Sequence, residues 1–155
     1  MITYQSEMLN DVAEEIMPLL EMHYQDLAAH KEFIKLAPDW PRYYQMEFMG
    51  KLAIFTARDA GKLIGYSVFF LDTLMHYEET RAALNDVLYL HPKYRAGLGA
   101  ITLIRLVKFS EVELKKIAGE EKIRILFHIK KKHDFSPAMR RIGYDDEEII
   151  VGKLL

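Results

Sequence analysis

The apolar residues of this chain change period several times, and each change marks an element. Apolar positions at 9, 12, 16, 19, 20, 24 and 27 recur at steps of three and four, which predicts an amphipathic helix with one face on a core. Ser6 offers a hydroxyl as its N-cap, and Pro18 removes a backbone donor inside it, so a bend or a division is expected near Met17. Ile2 to Tyr4 reads as a short first strand. Asp39 before Trp40-Pro41 predicts a second helix start, and Gly50 its stop. Leu52 to Ala57 and Leu63 to Leu74 are β-rich runs joined by a short connection containing Gly61, which predicts a hairpin.

The polar segment His76 to Arg81 then connects to a strand over Ala83 to Leu90. A glycine-bearing turn follows, and from Ile101 onward the apolar spacing is helical, with Lys115 and Lys116 suiting the last turn and Gly119 ending it. Ile123, Ile125, Phe127 and Ile129 alternate with Arg124, Leu126 and His128, the period of a strand. A short helix over Ser136 to Ile142 and a last strand near Glu147 to Leu154 complete the reading. This order of elements predicts an α/β fold with a mixed sheet.

Length and composition narrow the picture. With 155 residues, half of them hydrophobic, the chain supports one well-buried core, and a single domain over 1–155 is expected. A net charge of −2 gives no general attraction to nucleic acid or anionic lipid. The absence of Cys removes disulfides, thiolate metal sites and a cysteine nucleophile together and fits a reducing, cytoplasmic location. The first residues lack the basic start and apolar run of a signal peptide, and no stretch approaches the roughly 20 apolar residues of a membrane span.

The segment with chemical promise is Asn85 to Ala118, read as strand, turn and helix. Gly97 and Gly99 at a helix entrance let backbone approach a ligand while the first turn's N–H groups point outward, which makes an anion cradle. It is neither a P-loop, since no Lys-Ser or Lys-Thr follows Gly99, nor a Gly-x-Gly-x-x-Gly fingerprint, since Thr102 holds the third glycine's place. The six His show no ligand spacing for a metal, and there is no Gly-x-Ser-x-Gly elbow. Asp86, amid apolar neighbours, is the first candidate for a general base, because burial would raise its pKa; the same burial suits a structural Asp. His76, Glu78 and His128 are lesser candidates. Lys130-Lys131-Lys132 reads as a solvated loop or as a contact for a phosphate or an acidic acceptor.

The turn resembles the acyl-CoA pyrophosphate loop of the GNAT N-acyltransferase superfamily, Arg/Gln-x-x-Gly-x-Gly/Ala. With Arg95 first, Leu98 and Ala100 fill the glycine positions; with Tyr94 first, Gly97 and Gly99 fill them. The chain also resembles divergent GNAT-like proteins of tailed phages in His23-Tyr24, Ala37 to Trp40, and Gly143-Tyr144. This resemblance implies a GNAT-like mixed central sheet flanked by helices, with acetyl-CoA as acyl donor and a primary amine as acceptor. It implies that the backbone of Leu88, Tyr89 and Leu90 pairs with the pantetheine arm. The N–H groups of Arg95, Ala96, Gly97, Leu98, Gly99 and Ala100 would hold the pyrophosphate, with the Arg95 side chain in support.

The superfamily's usual proton-donor Tyr falls at Met139, so Tyr144 or water would take that role, and Asp86, His76 and Tyr144 are the catalytic candidates. Two readings follow: an N-acetyltransferase acting by direct attack, or a catalytically inactive GNAT-fold binding or assembly protein such as a phage component. Exposed strand edges suit a homodimer.

Overall fold

The computed structural model describes residues 1–97 and 99–155. Its elements are β1 (Ile2–Glu7), α1 (Leu9–Leu27), α2 (Trp40–Phe48), β2 (Leu52–Asp59), β3 (Lys62–Leu74), β4 (Tyr77–Leu90), α3 (Gly99–Ala118), β5 (Lys122–Phe127) and α4 (Ser136–Arg140). The strands form one sheet in the order β1-β2-β3-β4-β5. All neighbours are antiparallel except β4 and β5, which run parallel with α3 as the crossover between them. Among the described residues no helix is long and apolar enough to cross a membrane.

The helices cover both faces. Leu9, Val12, Ile16 and Leu19 of α1 bury against Ile54, Leu63, Tyr66, Val68, Val87 and Tyr89, with Trp40, Tyr43 and Met46 of α2 beside them. Leu106 and Leu114 of α3 bury on the other face, against Ala53, Phe55, Phe69 and Ala83. A strand covered on both sides is apolar throughout rather than alternating, which is why β2 and β3 read as continuous apolar runs. The apolar residues of α3 spread over more than one face, yet Ile101, Val112 and Ile117 remain exposed and only one stripe is buried.

Several expectations need correction. Ser6 does not cap α1, because β1 continues to Glu7 in register with β2; the amide of Leu9 donates instead to the Glu47 carboxylate of α2, at 2.7 Å. Helix α1 is not divided at Pro18 and runs on to Leu27. The segment from Tyr77 to Arg81 is no connection: β4 begins at Tyr77, paired with Leu74, so Met75-His76 is a hairpin turn. No strand forms between Glu147 and Leu154. Strand β5 closes the sheet with β4 as its only neighbour, and Arg124 binds Glu147 and Glu148 by charge rather than by a ladder.

The feature that shapes the site is a β-bulge. Val68 pairs with Val87 but Phe69 pairs with Asn85, so Asp86 is an extra residue in β4. The insertion reverses which side chains face which layer: Ala83 packs on the α3 side, whereas Val87 and Tyr89 pack on the α1 side. Asn85 serves the disturbed ladder, its amide donating to the carbonyls of Val68 (3.0 Å) and Val87 (2.9 Å) and to Ser67 Oγ (3.1 Å). The two hydrogens of this buried amide are shared among three acceptors around the bulge.

Candidate active site

Strand β5 stops pairing with β4 at Phe127, opposite Asn85, while β4 continues from Asp86 to Leu90 with β3 alone. The two parallel strands therefore part at their C-terminal ends, and a cavity of about 450 Å³ opens between them. Its β4 wall is Asn85, Asp86, Leu88, Tyr89 and Leu90. Arg95 and the first turn of α3, Gly99, Ala100 and Leu103, close one end. His23 and Leu27 of α1 lie on another side, and the segment after β5 supplies His128, Lys130, Lys132 and His133.

The turn between β4 and α3 is built from short-range bonds. His91 Nδ1 accepts from the amide of Lys93, and a single 3-10 turn over Pro92–Tyr94 brings the chain to Arg95. Gly97 takes a φ of 60°, a conformation costly for other residues. At Gly99 the demand is steric, since a Cβ would stand 2.3 Å from the Tyr94 carbonyl oxygen. Not every amide of this turn is free for an anion: Arg95 N–H donates to Pro92 O and Gly99 N–H to Ala96 O, each at 3.1 Å. Ala100 lies in the first turn of α3, where amides have no partner within the helix. Leu98 lies outside the described residues.

Arg95 is tied to α1. Its Nε donates to Leu90 O at 2.7 Å, an NH2 group meets Asp26 at 3.1 Å, and the guanidinium lies 4.5 Å from the centre of the Tyr89 ring. The Tyr89 hydroxyl also donates to Asp26, at 2.8 Å. Burial and that carboxylate push the Tyr89 hydroxyl up to about 12, so it holds its proton at neutral pH. His23 stacks at 5.0 Å from the same ring. Burial, with the positive charges of Lys130 and Arg95 nearby, pulls its pKa down to about 4, so the imidazole is neutral.

Asp86 departs from the sequence-based expectation. It is exposed on the cavity wall, not buried, because the bulge pushes it out of the regular pleat. Tyr43 of α2 donates to its Oδ2 at 2.6 Å. Burial and the adjacent carboxylate drive the Tyr43 pKa far up, which makes Tyr43 a fixed donor. Asp86 also borders a second space of about 30 Å³ under α1 and α2, lined by Trp40, Tyr43 and Tyr66 among others.

His128, a lesser candidate, lines the cavity, whereas His76 and Tyr144 lie apart from it. His76 is on the β3–β4 turn, with its ring edge-on to Tyr77. Tyr144 packs edge-on to Phe127 at 5.5 Å, and burial, with the negative charge of Glu111 nearby, pushes its pKa far up. Met139 is 2 % exposed and its backbone carbonyl accepts from Tyr144 N–H. No tyrosine hydroxyl from the α4 region lines the cavity among the described residues. The structure adds His23, Asn85 and His133 to the site and brings Lys130 and Lys132 of the lysine run to its wall, without Lys131. His23 stands in the second half of α1 and belongs to the His23-Tyr24 motif of the resemblance, but nothing in its own spacing singles it out. Among the described residues no group of three His, Asp or Glu is placed to hold a metal ion.

No family model matches the chain, and no curated protein matches it. Solved structures match over nearly the full length. A transcriptional regulator from Bacillus halodurans C-125 is 14% identical with a TM-score of 0.72, each chain covered to 100%. A ribosomal-protein-alanine N-acetyltransferase from Brucella melitensis biovar Abortus 2308 is 18% identical with a TM-score of 0.67, covering 98% of this chain and 99% of its own. A predicted acetyltransferase with acetyl-CoA from Clostridium acetobutylicum is 14% identical with a TM-score of 0.63, covering 99% and 96%. At such identities the likeness concerns the fold, which is the GNAT-like mixed α/β architecture.

Proposed function

We propose that the protein is an N-acetyltransferase that moves the acetyl group of acetyl-CoA to a primary amine by direct attack. The observation that carries this reading is the parting of β4 and β5 at Asn85 and Phe127, with a glycine turn and a helix N-terminus closing the cavity it opens. Acetyl-CoA fits what is there: among the described residues β4 from Leu88 to Leu90 has no strand on its β5 side, and the start of α3 has no room for a side chain at Gly99. The Leu88, Tyr89 and Leu90 backbone would pair with the pantetheine arm, and amides of the turn and of the first turn of α3 would hold the pyrophosphate. The donor supplies an acyl thioester.

The chain's own part is placement and one proton. Asp86, oriented by Tyr43, accepts the amine proton as the N–C bond forms and the C–S bond breaks. Neutral His23 and the Tyr89 ring form an apolar side of the cavity that keeps the amine uncharged. The departing sulfur takes its proton from water, since the Tyr89 hydroxyl is engaged by Asp26 and no tyrosine of the α4 region lines the cavity among the described residues.

A second reading, a catalytically inactive GNAT-fold binding or assembly protein of the phage kind that the sequence resembles, is favoured by Met139 being sealed in the core and Tyr144 being packed on Phe127. Calorimetry with acetyl-CoA, followed by an amine screen for released thiol, separates the two. Binding with turnover, and a loss of about 10²-fold or more in kcat for Asp86→Asn, supports the enzyme. Binding without turnover of any amine supports the second reading, and no binding at millimolar ligand overturns both as far as they rest on acetyl-CoA.

A further inference from the structure

Charge is unevenly placed around the cavity. On β4 stands Asp86; across the gap, on the segment after β5, stand Lys130 and Lys132. Of the other charged groups of the wall, one is ion-paired and one keeps its charge. Arg95 is held by Asp26, and Asp134 accepts from the amide of Ser136 at 2.9 Å. Among the described residues no carboxylate lies within ion-pair distance of Lys130 or Lys132. Lys132 Nζ instead donates at 2.6 Å to Asp26 O, a carbonyl in the last turn of α1. A cation at that negative helix end is held in place by the carbonyl and the helix dipole, without a carboxylate partner. Lys130 is close enough to His23 to help depress its pKa, which fixes it on the same side.

A cavity with the Asp86 carboxylate on one wall, and on the other two ammonium groups without an ion-pair partner against the single carboxylate of Asp134, matches a small zwitterion. Resting on the acetyltransferase reading above, we propose that the acceptor is a small amine that also carries an oxyanion, a carboxylate or a phosphate ester. Its amine lies toward Asp86 and its anionic group is held by Lys130 and Lys132. The pyrophosphate is assigned to the turn and α3, whereas Lys132 bridges to α1 at the Asp26 carbonyl, beside the Asp26 carboxylate that holds Arg95. Lysine serves as a point charge for either oxyanion, which leaves carboxylate and phosphate both open. The transfer is the one already described: the amine nitrogen gains the acetyl carbon, the thiolate leaves, and no redox partner is required.

The test begins with acetyl-CoA binding, because failure there removes the acetyltransferase reading itself. On protein that binds acetyl-CoA, kcat/KM is measured for matched probes: phosphoethanolamine against ethanolamine, β-alanine against β-alaninamide, and spermidine as a polycation. The expected result is an advantage of about ten-fold or more for at least one anionic probe, falling steeply between about 50 and about 300 mM salt. That advantage should shrink to about two-fold in Lys130→Gln and in Lys130→Gln/Lys132→Gln, with acetyl-CoA affinity unchanged.

Where turnover is too slow to read, calorimetry of the same probes against CoA-saturated protein gives the same comparison. Equal or better use of ethanolamine, β-alaninamide or spermidine overturns the proposal while leaving the acetyltransferase reading intact. So does a variant that loses acetyl-CoA affinity with its acceptor preference unchanged, which would assign the lysines to the donor's phosphates. The Lys130 single variant guards against a folding defect from the lost Lys132–Asp26 contact.

Discussion

Gly99 and Tyr94 are in backbone contact across the turn: a Cβ on Gly99 would lie 2.3 Å from the Tyr94 carbonyl oxygen and 3.0 Å from its carbon. Backbone at that distance has no rotamer to change, so the turn itself must move. Gly99→Ala is expected to cost about 1–3 kcal/mol and to weaken acetyl-CoA binding by at least about ten-fold, read by urea denaturation and calorimetry. Gly97→Ala is the control. Its φ of 60° carries the left-handed penalty of roughly 1–2 kcal/mol, but nothing lies within 4 Å of the added Cβ. It should destabilise the protein with a smaller loss of binding. Equal binding losses would show that conformation, not close approach, limits the turn.

His23 gives the protein a pH dependence of definite sign. Its pKa in the fold is about 4, lowered first by burial and then by Lys130 and Arg95, against an ordinary value of 6.5. The unfolded chain therefore takes up this proton first. The neutral imidazole's contribution is complete above about pH 6.5, is lost as pH falls toward about 4, and changes little below that. In urea melts at about pH 7, 5.5 and 4.5, His23→Gln should flatten this slope relative to the parent. NMR of the His23 ring should show no titration down to about pH 5. A midpoint near 6.5 would contradict the burial described.

Arg58 joins β1, α1 and the β2–β3 turn. Its guanidinium donates to both carboxylate oxygens of Glu7 (2.8 and 2.9 Å), to both of Glu15 (2.9 and 2.8 Å) and to Gly61 O (2.8 Å). Burial pushes the Glu7 pKa up, but hydrogen bonds from Arg58, Thr56 and Gln5 outweigh it and hold the carboxyl below its usual range. Arg58→Met leaves Glu7, whose side chain is 10% exposed, without its counter-charge. A loss of about 3–5 kcal/mol is expected at pH 7. Adding Glu7→Gln should recover a large part of it, which a double-mutant cycle by chemical denaturation would measure.

The local signals in the sequence were sufficient for most of the frame. Asp39 accepts from the amide of Arg42 at 3.1 Å, as an N-cap before Trp40-Pro41 should, and Gly50 and Gly119 take the positive φ that ends their helices. Ala60-Gly61 makes the hairpin turn, and α3 follows the glycine turn. These elements are legible because their causes lie within a few residues.

The site was not legible in the same way. Asp86 was expected to be buried because its neighbours are apolar. A one-residue bulge, fixed by pairing with β3 and by the Asn85 amide, turns it to the cavity and to Tyr43, 43 residues away. The C-terminal residues have strand composition but form no ladder, and they meet the edge strand β5 through charge, Arg124 with Glu147 and Glu148. The meeting of His23, Asp26, Tyr89, Arg95 and Lys132 spans up to 106 residues of chain. Periodicity and capping are local properties of the chain and fixed the helices, the hairpin and the turn. Which polar groups share a low-dielectric cavity depends on strand register and on where β4 and β5 part, and only the tertiary structure decided that.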